Sequence, residues 1–252
     1  MRFLFYLMKD LPKPELFVSF PLSEKCVAIT TTTLIGNMAY QVDDGMDVFY
    51  NRLFLANCLH VDYQKTTYVH QHHSDIILKV EEKDVGKGEN SFEDGLECDA
   101  LYTYLKDVPL CIFHADCVPI FFIDETKDLV GIIHAGFKGT MKHIAYKAMK
   151  KVIEEENLDI KNLKFYIGPY RMPCSFEVNE ESKKAIIEAG FEETIIDGRF
   201  DNGLANKLDL YKLGVKEEQI QCCNFDTVTD ERFYSAYQKT PVGRMVSLIF
   251  LK

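Results

Sequence analysis

The chain has 252 residues and a formal net charge of −10 at pH 7, and this acidic balance excludes a general nucleic-acid binder, which would carry a basic field toward phosphates. Apolar residues make up 47% and charged residues 27%, the composition of a globular protein with a sizeable core. No stretch approaches the roughly 18–20 apolar residues that cross a bilayer, and the run Phe3–Met8 is too short for the hydrophobic region of a signal peptide. We therefore expect one cytoplasmic domain over residues 1–252, as a monomer or small homo-oligomer, with neither nucleic acid nor membrane as a partner.

The first half of the sequence contains few predicted elements before a strand-rich centre. The run Phe3–Met8 predicts an edge strand, and residues Met46–Leu59 predict a helix. Residues Glu81–Glu97 are rich in Gly, Asp, Glu and Asn, which indicates a long surface loop between two strands. Nearly continuous apolar runs then predict strands that are buried on both faces, at Val108–Ala115, Val118–Asp124 and Leu129–Ala135, with a hairpin turn at Asp124–Asp128 between the last two.

After Gly139 the apolar period becomes helical and predicts a long helix that includes Ile144 and ends near Asn157. The remaining predicted elements are helices around Asn179–Ala189 and Asn202–Leu213 and strands around Lys164–Ile167, Gln219–Cys222 and Met245–Leu251. Strands and helices are mixed without a clean βαβ alternation. The prediction is therefore an α+β fold, a single domain with a mixed central β-sheet or sheets flanked by helices.

Three short segments combine side chains that can bind metals or take part in catalysis with small residues that allow unusual backbone conformations. They are residues 69–75 (VHQHHSD), 114–119 (HADCVP) and 134–139 (HAGFKG), and they contain five of the seven histidines. Two of them lie where a predicted buried strand ends, which is a common place for a site on a rigid scaffold. We expect these three segments to form one site.

The chemistry that these segments favour is a metal site made by one histidine of the first segment with Cys117 and His134. Two imidazoles and a thiolate suit zinc, and three protein ligands leave a fourth position for water or substrate. The alternative is a nucleophile pair in which His134 or His73 deprotonates Cys117. If residues 70–73 are extended, His70 and His72 share one face and His73 takes the other, so the choice of histidine stays open.

The third segment also predicts an anion site. Gly136 and Gly139 free the backbone between a strand and the long helix, and Lys138 adds a positive charge near the N–H groups of the helix N-terminus. The alternative is a simple tight turn between strand and helix.

In this order, the segments resemble the motifs of the laccase-domain family, also called the multicopper polyphenol oxidase or purine nucleoside phosphorylase family. The family motifs are Q-x-H-[GS], A-D-C-x-P and H-A-G-W-R-G, and here they read Gln71-His72-His73-Ser74, Ala115-Asp116-Cys117-Val118-Pro119 and His134-Ala135-Gly136-Phe137-Lys138-Gly139. Further matches are Asn51-Arg52, Asp94-Gly95, Cys98-Asp99-Ala100-Leu101, Ile167-Gly168-Pro169, Cys174-Ser175-Phe176-Glu177-Val178 and Gly243-Arg244-Met245. The Gln-x-His register implies His73 as the metal-binding histidine.

The resemblance implies a site and an activity. It implies zinc, with copper as an alternative metal, bound by His73, Cys117 and His134, and it implies that Cys117 and Asp116 are catalytic. It implies substrate or phosphate contacts from Arg52, Lys138 and Arg244. The implied activities are phosphorolysis of purine nucleosides (adenosine, inosine, guanosine and methylthioadenosine) and deamination of adenosine, so the expected small-molecule partners are purine nucleosides and phosphate.

The sequence departs from the family pattern at cationic positions. Phe137 and Lys138 replace the Trp and Arg of H-A-G-W-R-G, and lysine lacks the planar fork with which arginine binds phosphate. The family's late S-Y-R-R stretch reads Ser235-Ala236-Tyr237-Gln238, so both arginines are missing, and Lys239 is the nearest replacement. If those arginines bind phosphate, we expect phosphorolysis to be weak.

Three other functions remain open at this point. One is hydrolysis of an amide by Cys117 or by a metal-activated water, for example in editing peptidoglycan precursors. Another is copper-dependent oxidation of phenols, although a multicopper site normally needs many more histidines. The third is a non-catalytic protein with a structural metal, which needs a fourth ligand from His70, His72 or His114.

Overall fold

The computed structural model describes residues 15–42, 46–238 and 242–252. In chain order its strands are β1 (Phe17–Ser19), β2 (Cys26–Thr31), β3 (Thr67–Tyr68), β4 (Ile77–Lys79), β5 (Ala100–Thr103), β6 (Leu110–His114), β7 (Val118–Asp124), β8 (Leu129–Ala135), β9 (Leu163–Ile167), β10 (Ile195–Ile196), β11 (Arg199–Phe200), β12 (Ile220–Cys222) and β13 (Met245–Leu251). The helices are α1 (Met46–Leu59), α2 (Phe137–Met141), α3 (Ile144–Glu156), α4 (Glu180–Glu188) and α5 (Asn202–Lys212).

Two mixed sheets form the centre of the molecule. One has five strands in the order β1-β2-β13-β6-β3, and the other has six in the order β12-β9-β7-β8-β5-β4. Strands β10 and β11 form a separate antiparallel pair. The fold class predicted from the sequence, α+β with mixed sheets and helices outside them, is confirmed.

The two sheets pack face to face, and helices cover their outer faces. Along β7, Phe121 and Ile123 belong to the core between the sheets, while Ile120 and Phe122 belong to a second core that includes residues of α3 and α5. On the other side, Leu55 of α1 joins a third core with residues of the five-stranded sheet. Because β7 is buried on both faces, it needs apolar residues at every position, which explains its continuous apolar run.

Most predicted elements have the observed bounds or differ by one or two residues at an end. Strand β6 is shorter than the predicted Val108–Ala115, since Pro109 has no N–H for the sheet and the chain turns at Asp116, which has a φ of 86°. The long helix α3 ends at Glu156, where Asn157 adopts the left-handed conformation. The predicted edge strand Phe3–Met8 lies outside the described residues.

The region after Gly136 differs from the prediction. The five-residue helix α2 comes first, and His143 in the left-handed conformation separates it from α3. Lys138 is therefore in α2 and not at the start of the long helix.

The pairing of β7 with β8 brings the predicted site segments to one end of the six-stranded sheet. Val118 pairs with Ala135 and Pro119 with His134, so Cys117, just before β7, lies beside the end of β8. In the part of the chain that the structure describes, no helix is long and apolar enough to cross a membrane.

Candidate metal centre and adjoining cavity

His73, Cys117 and His134 meet at this end of the sheet, and one ligand atom from each lies within 4.8 Å of the others. The Cys117 Sγ is 3.8 Å from His73 Nε2, and the rings of His73 and His134 are 5.0 Å apart at their centroids. His134 is buried, while His73 and Cys117 are partly buried. The structure thus brings together the three residues for which the sequence predicts a metal site.

The choice of His73 depends on a backbone turn that strand alternation cannot predict. His73 has a φ of 56°, so the segment is not extended at this point. The carboxylate of Asp99 accepts hydrogen bonds from the backbone N–H groups of His72, His73 and Ser74, at 3.2, 3.0 and 2.6 Å. These three hydrogen bonds satisfy the backbone N–H groups of the turn, and they hold the His73 side chain beside Cys117.

Asp99 also orients His134, because its Oδ1 lies 2.8 Å from His134 Nδ1. Burial alone would raise the pKa of the Asp99 carboxyl, but the bonds from His134 and Ser74 hold it well below its usual range. The ionised Asp99 can only accept, so Nδ1 of His134 carries the proton and Nε2 is left as the ligand atom. Such a carboxylate–histidine pair is the usual outer support of a metal-binding histidine.

The charges of Cys117 and His134 are coupled. Burial raises the pKa of the Cys117 thiol, but His134 and His73 outweigh burial and lower it to about 6. Burial lowers the pKa of His134, but Cys117 and Asp99 outweigh this and raise it to about 9. Each group therefore favours the charged form of the other, and a thiolate is what both a metal ligand and a nucleophile require.

Gly136 lets the backbone pass directly against this cluster. A Cβ at this position would lie 2.9 Å from both Cys117 Sγ and His73 Nε2, and closer still to His73 Cδ2. In a tetrahedral zinc site, Zn–S and Zn–N bonds of ordinary length put sulfur and nitrogen roughly 3.5 Å apart, and the observed 3.8 Å between Cys117 and His73 is close to this. The donor set and its spacing fit one zinc ion.

The other histidines named as fourth ligands do not join this cluster. His114 is buried, its Nε2 is 2.8 Å from Ser247 Oγ, and burial lowers its pKa to about 3, so it is neutral. His70 and His72 pack on each other, with ring centroids 4.3 Å apart, and group with Glu97 instead. Among the described residues the cluster has three protein ligands, which is the number typical of catalytic zinc sites.

A cavity of about 380 Å³ adjoins the cluster, a size within the range of small-molecule sites. Its wall contains the three cluster residues, four aromatic residues, three cations and several polar residues. The aromatic residues are Phe113, Phe137, Phe176 and Tyr237, and the cations are Lys138, Arg171 and Arg244. The cavity therefore has flat apolar surfaces and positive charge beside the candidate metal centre.

Arg52 lies elsewhere and is not part of the cavity wall. It is buried in α1, where its Nε donates to the carbonyl of Met38 and its Nη1 to the carbonyls of Gly88 and Glu89. Its guanidinium also lies 3.9 Å from the ring centroid of Tyr68. These contacts tie α1 to the long loop and leave Arg52 away from the predicted substrate.

Asp116 lies in the cavity wall, but both of its carboxylate oxygens are engaged. Oδ1 accepts a hydrogen bond from Thr227 Oγ1 at 2.7 Å, and Oδ2 accepts one from the backbone N–H of Ala236 at 2.8 Å. Asp116 therefore fastens the segment 227–237 to the residue before Cys117.

Sequence reasoning missed two residues of the site, Asp99 and Arg171. Asp99 lies within the Cys98-Asp99-Ala100-Leu101 match to the family, and its place just before a buried strand is the available signal. Arg171 follows the Ile167-Gly168-Pro169 match, and nothing in its neighbourhood predicts that it reaches the cavity. Lys239, the suggested replacement for the missing arginines, lies outside the described residues.

Comparison with known proteins shows the family of the chain. The family model described as multi-copper polyphenol oxidoreductase laccase matches residues 31–252. The purine nucleoside phosphorylase YlmD of Bacillus subtilis is 30% identical over 220 residues, covering 83% of this chain and 79% of the relative. A purine nucleoside phosphorylase of Staphylococcus saprophyticus is 30% identical over 229 residues, with 84% of each chain covered.

Solved structures give the same result for the fold. The structure of the hypothetical protein YfiH of Bacillus licheniformis superposes with a TM-score of 0.88 at 27% identity, covering 95% of this chain and 98% of the other. YlmD from Geobacillus stearothermophilus superposes with a TM-score of 0.87 at 27% identity, covering 96% and 98%. The resemblance inferred from the motifs is confirmed: the chain belongs to the multi-copper polyphenol oxidoreductase laccase family.

Proposed function

We propose that this protein is a zinc-dependent purine nucleoside phosphorylase that also deaminates adenosine. The observation that carries the proposal is the cavity, in which three potential metal ligands, aromatic walls and three cations occur together. The names of the relatives in Bacillus subtilis and Staphylococcus saprophyticus support the phosphorylase part. Inosine, adenosine, guanosine and methylthioadenosine are the proposed nucleosides, and the cytoplasm is the proposed location.

The cavity suits the two substrates of phosphorolysis, a purine nucleoside and phosphate. A purine base is flat and apolar on its faces, and rings such as Phe137, Phe176 and Tyr237 offer surfaces for stacking. Lys138 and Arg244 lie in the same wall and carry the charge that a phosphate dianion needs. In the reaction a phosphate oxygen bonds to C1′ of the ribose as the bond from C1′ to the base nitrogen breaks, which gives ribose 1-phosphate and the free base.

Deamination of adenosine needs a water made nucleophilic at neutral pH, and this is the chemistry that zinc held by His73, Cys117 and His134 supplies. The chain's own residues orient the site. Asp99 fixes His134 and the His73 turn, and Asp116 holds Thr227 and the cavity residue Ala236. Copper is the alternative metal for the same three ligands.

Purified, zinc-loaded protein tests the proposal. Incubation with inosine should release hypoxanthine and ribose 1-phosphate only when phosphate is present, and adenosine should also yield inosine. His73→Ala and His134→Ala should lose bound zinc and deamination, whereas His72→Ala, an exposed neighbour on the same turn, should retain both. No base release from adenosine, inosine or methylthioadenosine by fully loaded protein would contradict the phosphorylase assignment.

A second candidate function is amide hydrolysis by Cys117, and the observation in its favour is the geometry: Cys117 Sγ lies 3.8 Å from His73 Nε2 with His134 beside it, and these imidazoles lower the pKa of the thiol. The two functions respond differently to metal removal. A metal-dependent phosphorylase and deaminase loses both activities on chelation, whereas a cysteine nucleophile becomes available. Amidase activity that appears on chelation and disappears on alkylation of Cys117 would favour the second function.

A further inference from the structure

We propose that Arg171 is the main phosphate-binding group of the cavity, held in a fixed orientation by Tyr237 and Phe176. This rests on the proposed phosphorolysis for its biological use, although phosphate binding can be measured without it. The chemical class of the ligand is a phosphate dianion, either free or as the monoester of a nucleotide.

The guanidinium of Arg171 is fixed from several sides. Its central carbon lies 3.5 Å from the ring centroid of Tyr237 and 4.2 Å from that of Phe176. Its Nε donates to the carbonyl of Ser175 at 2.7 Å, and its backbone N–H donates to the carbonyl of Asp116 at 3.0 Å. An arginine fixed in this way loses little further side-chain entropy when it binds a ligand.

The charge of Arg171 is not neutralised by protein. Arg171 is only 7% exposed, yet among the described residues no carboxylate lies within 4.0 Å of it and neither Nη atom has a protein acceptor. The contrast is Arg232, which makes ion pairs with Asp230 and Glu15. A largely buried cation without a counter-ion is costly, and an anion in the cavity removes this cost.

Other residues of the cavity wall add further positive charge around Arg171. Lys138 and Arg244 line the same cavity, and in the described ranges neither has a carboxylate within ion-pair distance. Asp116 is the acidic residue of the wall, and both its oxygens are already engaged by Thr227 and Ala236. The cavity is thus locally positive in a chain with a net charge of −10, so it selects an anion.

Arg171 also lies where the sequence lacks an expected cation. Tyr237 belongs to the segment Ser235-Ala236-Tyr237-Gln238, which has no arginine, and the guanidinium of Arg171 covers its ring. Arg171 comes from the loop after β9 and therefore supplies the positive charge from a different part of the chain. Asp116 links this loop to Cys117, which keeps the phosphate site beside the metal centre.

The test is a phosphate titration of zinc-loaded protein by calorimetry, with kinetics of inosine cleavage as the second readout. Arg171→Gln should weaken the binding of inorganic phosphate about ten-fold or more, which is the usual effect of losing a hydrogen bond between charged groups. It should raise the KM for phosphate and leave the KM for inosine and the zinc content nearly unchanged. Arg171→Lys should keep part of the affinity for phosphate. Tyr237→Leu should lower this affinity less than Arg171→Gln does.

Arg199→Gln is the matched control, since Arg199 is an exposed arginine on β11 outside the cavity, and it should bind phosphate like the wild type. A parallel titration with adenosine 5′-monophosphate separates a free phosphate from a monoester. Loss of binding of either ligand in Arg171→Gln supports the assignment, and wild-type affinity for both overturns it. If phosphate binding depends on Arg171 but no nucleoside is cleaved, the proposed function fails and the anion site stands.

Discussion

Asp99 and His134 are both buried, and Oδ1 of the carboxylate lies 2.8 Å from Nδ1 of the imidazole. The same carboxylate accepts hydrogen bonds from the backbone of His72, His73 and Ser74 and from the hydroxyl of Ser74. One side chain therefore positions two of the three candidate metal ligands, one directly and the other through its backbone.

We expect Asp99→Asn to weaken zinc binding by about 10–100-fold, the usual effect of losing the outer partner of a metal-binding histidine. The neutral amide accepts more weakly, and its NH₂ group cannot accept hydrogen bonds at all, so both ligands become less well placed. The measurement is competition for zinc against a chromophoric chelator. Asp94→Asn, an exposed change in the preceding loop, is the control, and equal zinc affinity in the two variants would contradict the role of Asp99.

Gly136→Ala should abolish or strongly reduce metal binding while the chain still folds. The added Cβ would lie 2.9 Å from Cys117 Sγ and His73 Nε2, so the ligands must move apart. Gly139→Ala is the matched control in the same turn, because its Cβ would meet no atom closer than 3.3 Å. Metal content by mass spectrometry and thermal unfolding distinguish the results, and full zinc occupancy in Gly136→Ala would show that the close approach is not required.

The reactivity of Cys117 should depend on pH in an unusual range. Since His134 and His73 lower the pKa of the thiol to about 6, metal-free protein should contain mostly thiolate at pH 7 and mostly thiol below pH 5. Alkylation of Cys117, followed by peptide mass spectrometry, should therefore rise through pH 6 and not through pH 8–9. Added zinc should protect Cys117, and a rate that first rises above pH 8 would contradict the imidazole effect.

The strands that the sequence predicts best are those with the strongest burial. The bounds of β7, β8 and β13 agree with the prediction, because strands buried on both faces need unbroken apolar runs. Strands β1 to β5, β10 and β11 were not predicted. Among them, β3 and β4 have only two or three residues, which carry no period of their own, and they pair only because a neighbouring strand is present.

The site was predictable in its residue types but not in its supports. His73, Cys117 and His134 follow from metal chemistry and motif register, whereas the turn at His73 depends on the carboxylate of Asp99, far along the chain. Arg171 likewise reaches the cavity because its guanidinium packs on Tyr237. Such contacts form between distant segments, so local sequence patterns contain no signal for them.

Arg52 is the predicted site residue that lies outside the cavity. The sequence predicted a substrate or phosphate contact, and the structure puts Arg52 in a buried position where it donates to three backbone carbonyls. Arg52→Ala removes these donors and the packing on Tyr68, so we expect the free energy of unfolding to fall by about 3 kcal/mol or more.

Urea unfolding measures that loss. Arg199 is exposed, so Arg199→Ala is the control and should leave the free energy of unfolding nearly unchanged. If the position of Arg52 is structural, Arg52→Ala should keep its zinc content and its affinity for phosphate at temperatures where it remains folded. Arg171→Gln should show the opposite pattern, with stability close to the wild type and weak phosphate binding. A raised KM for phosphate in folded Arg52→Ala would instead place Arg52 in the functional site, because a residue remote from the cavity has no direct means of changing that constant.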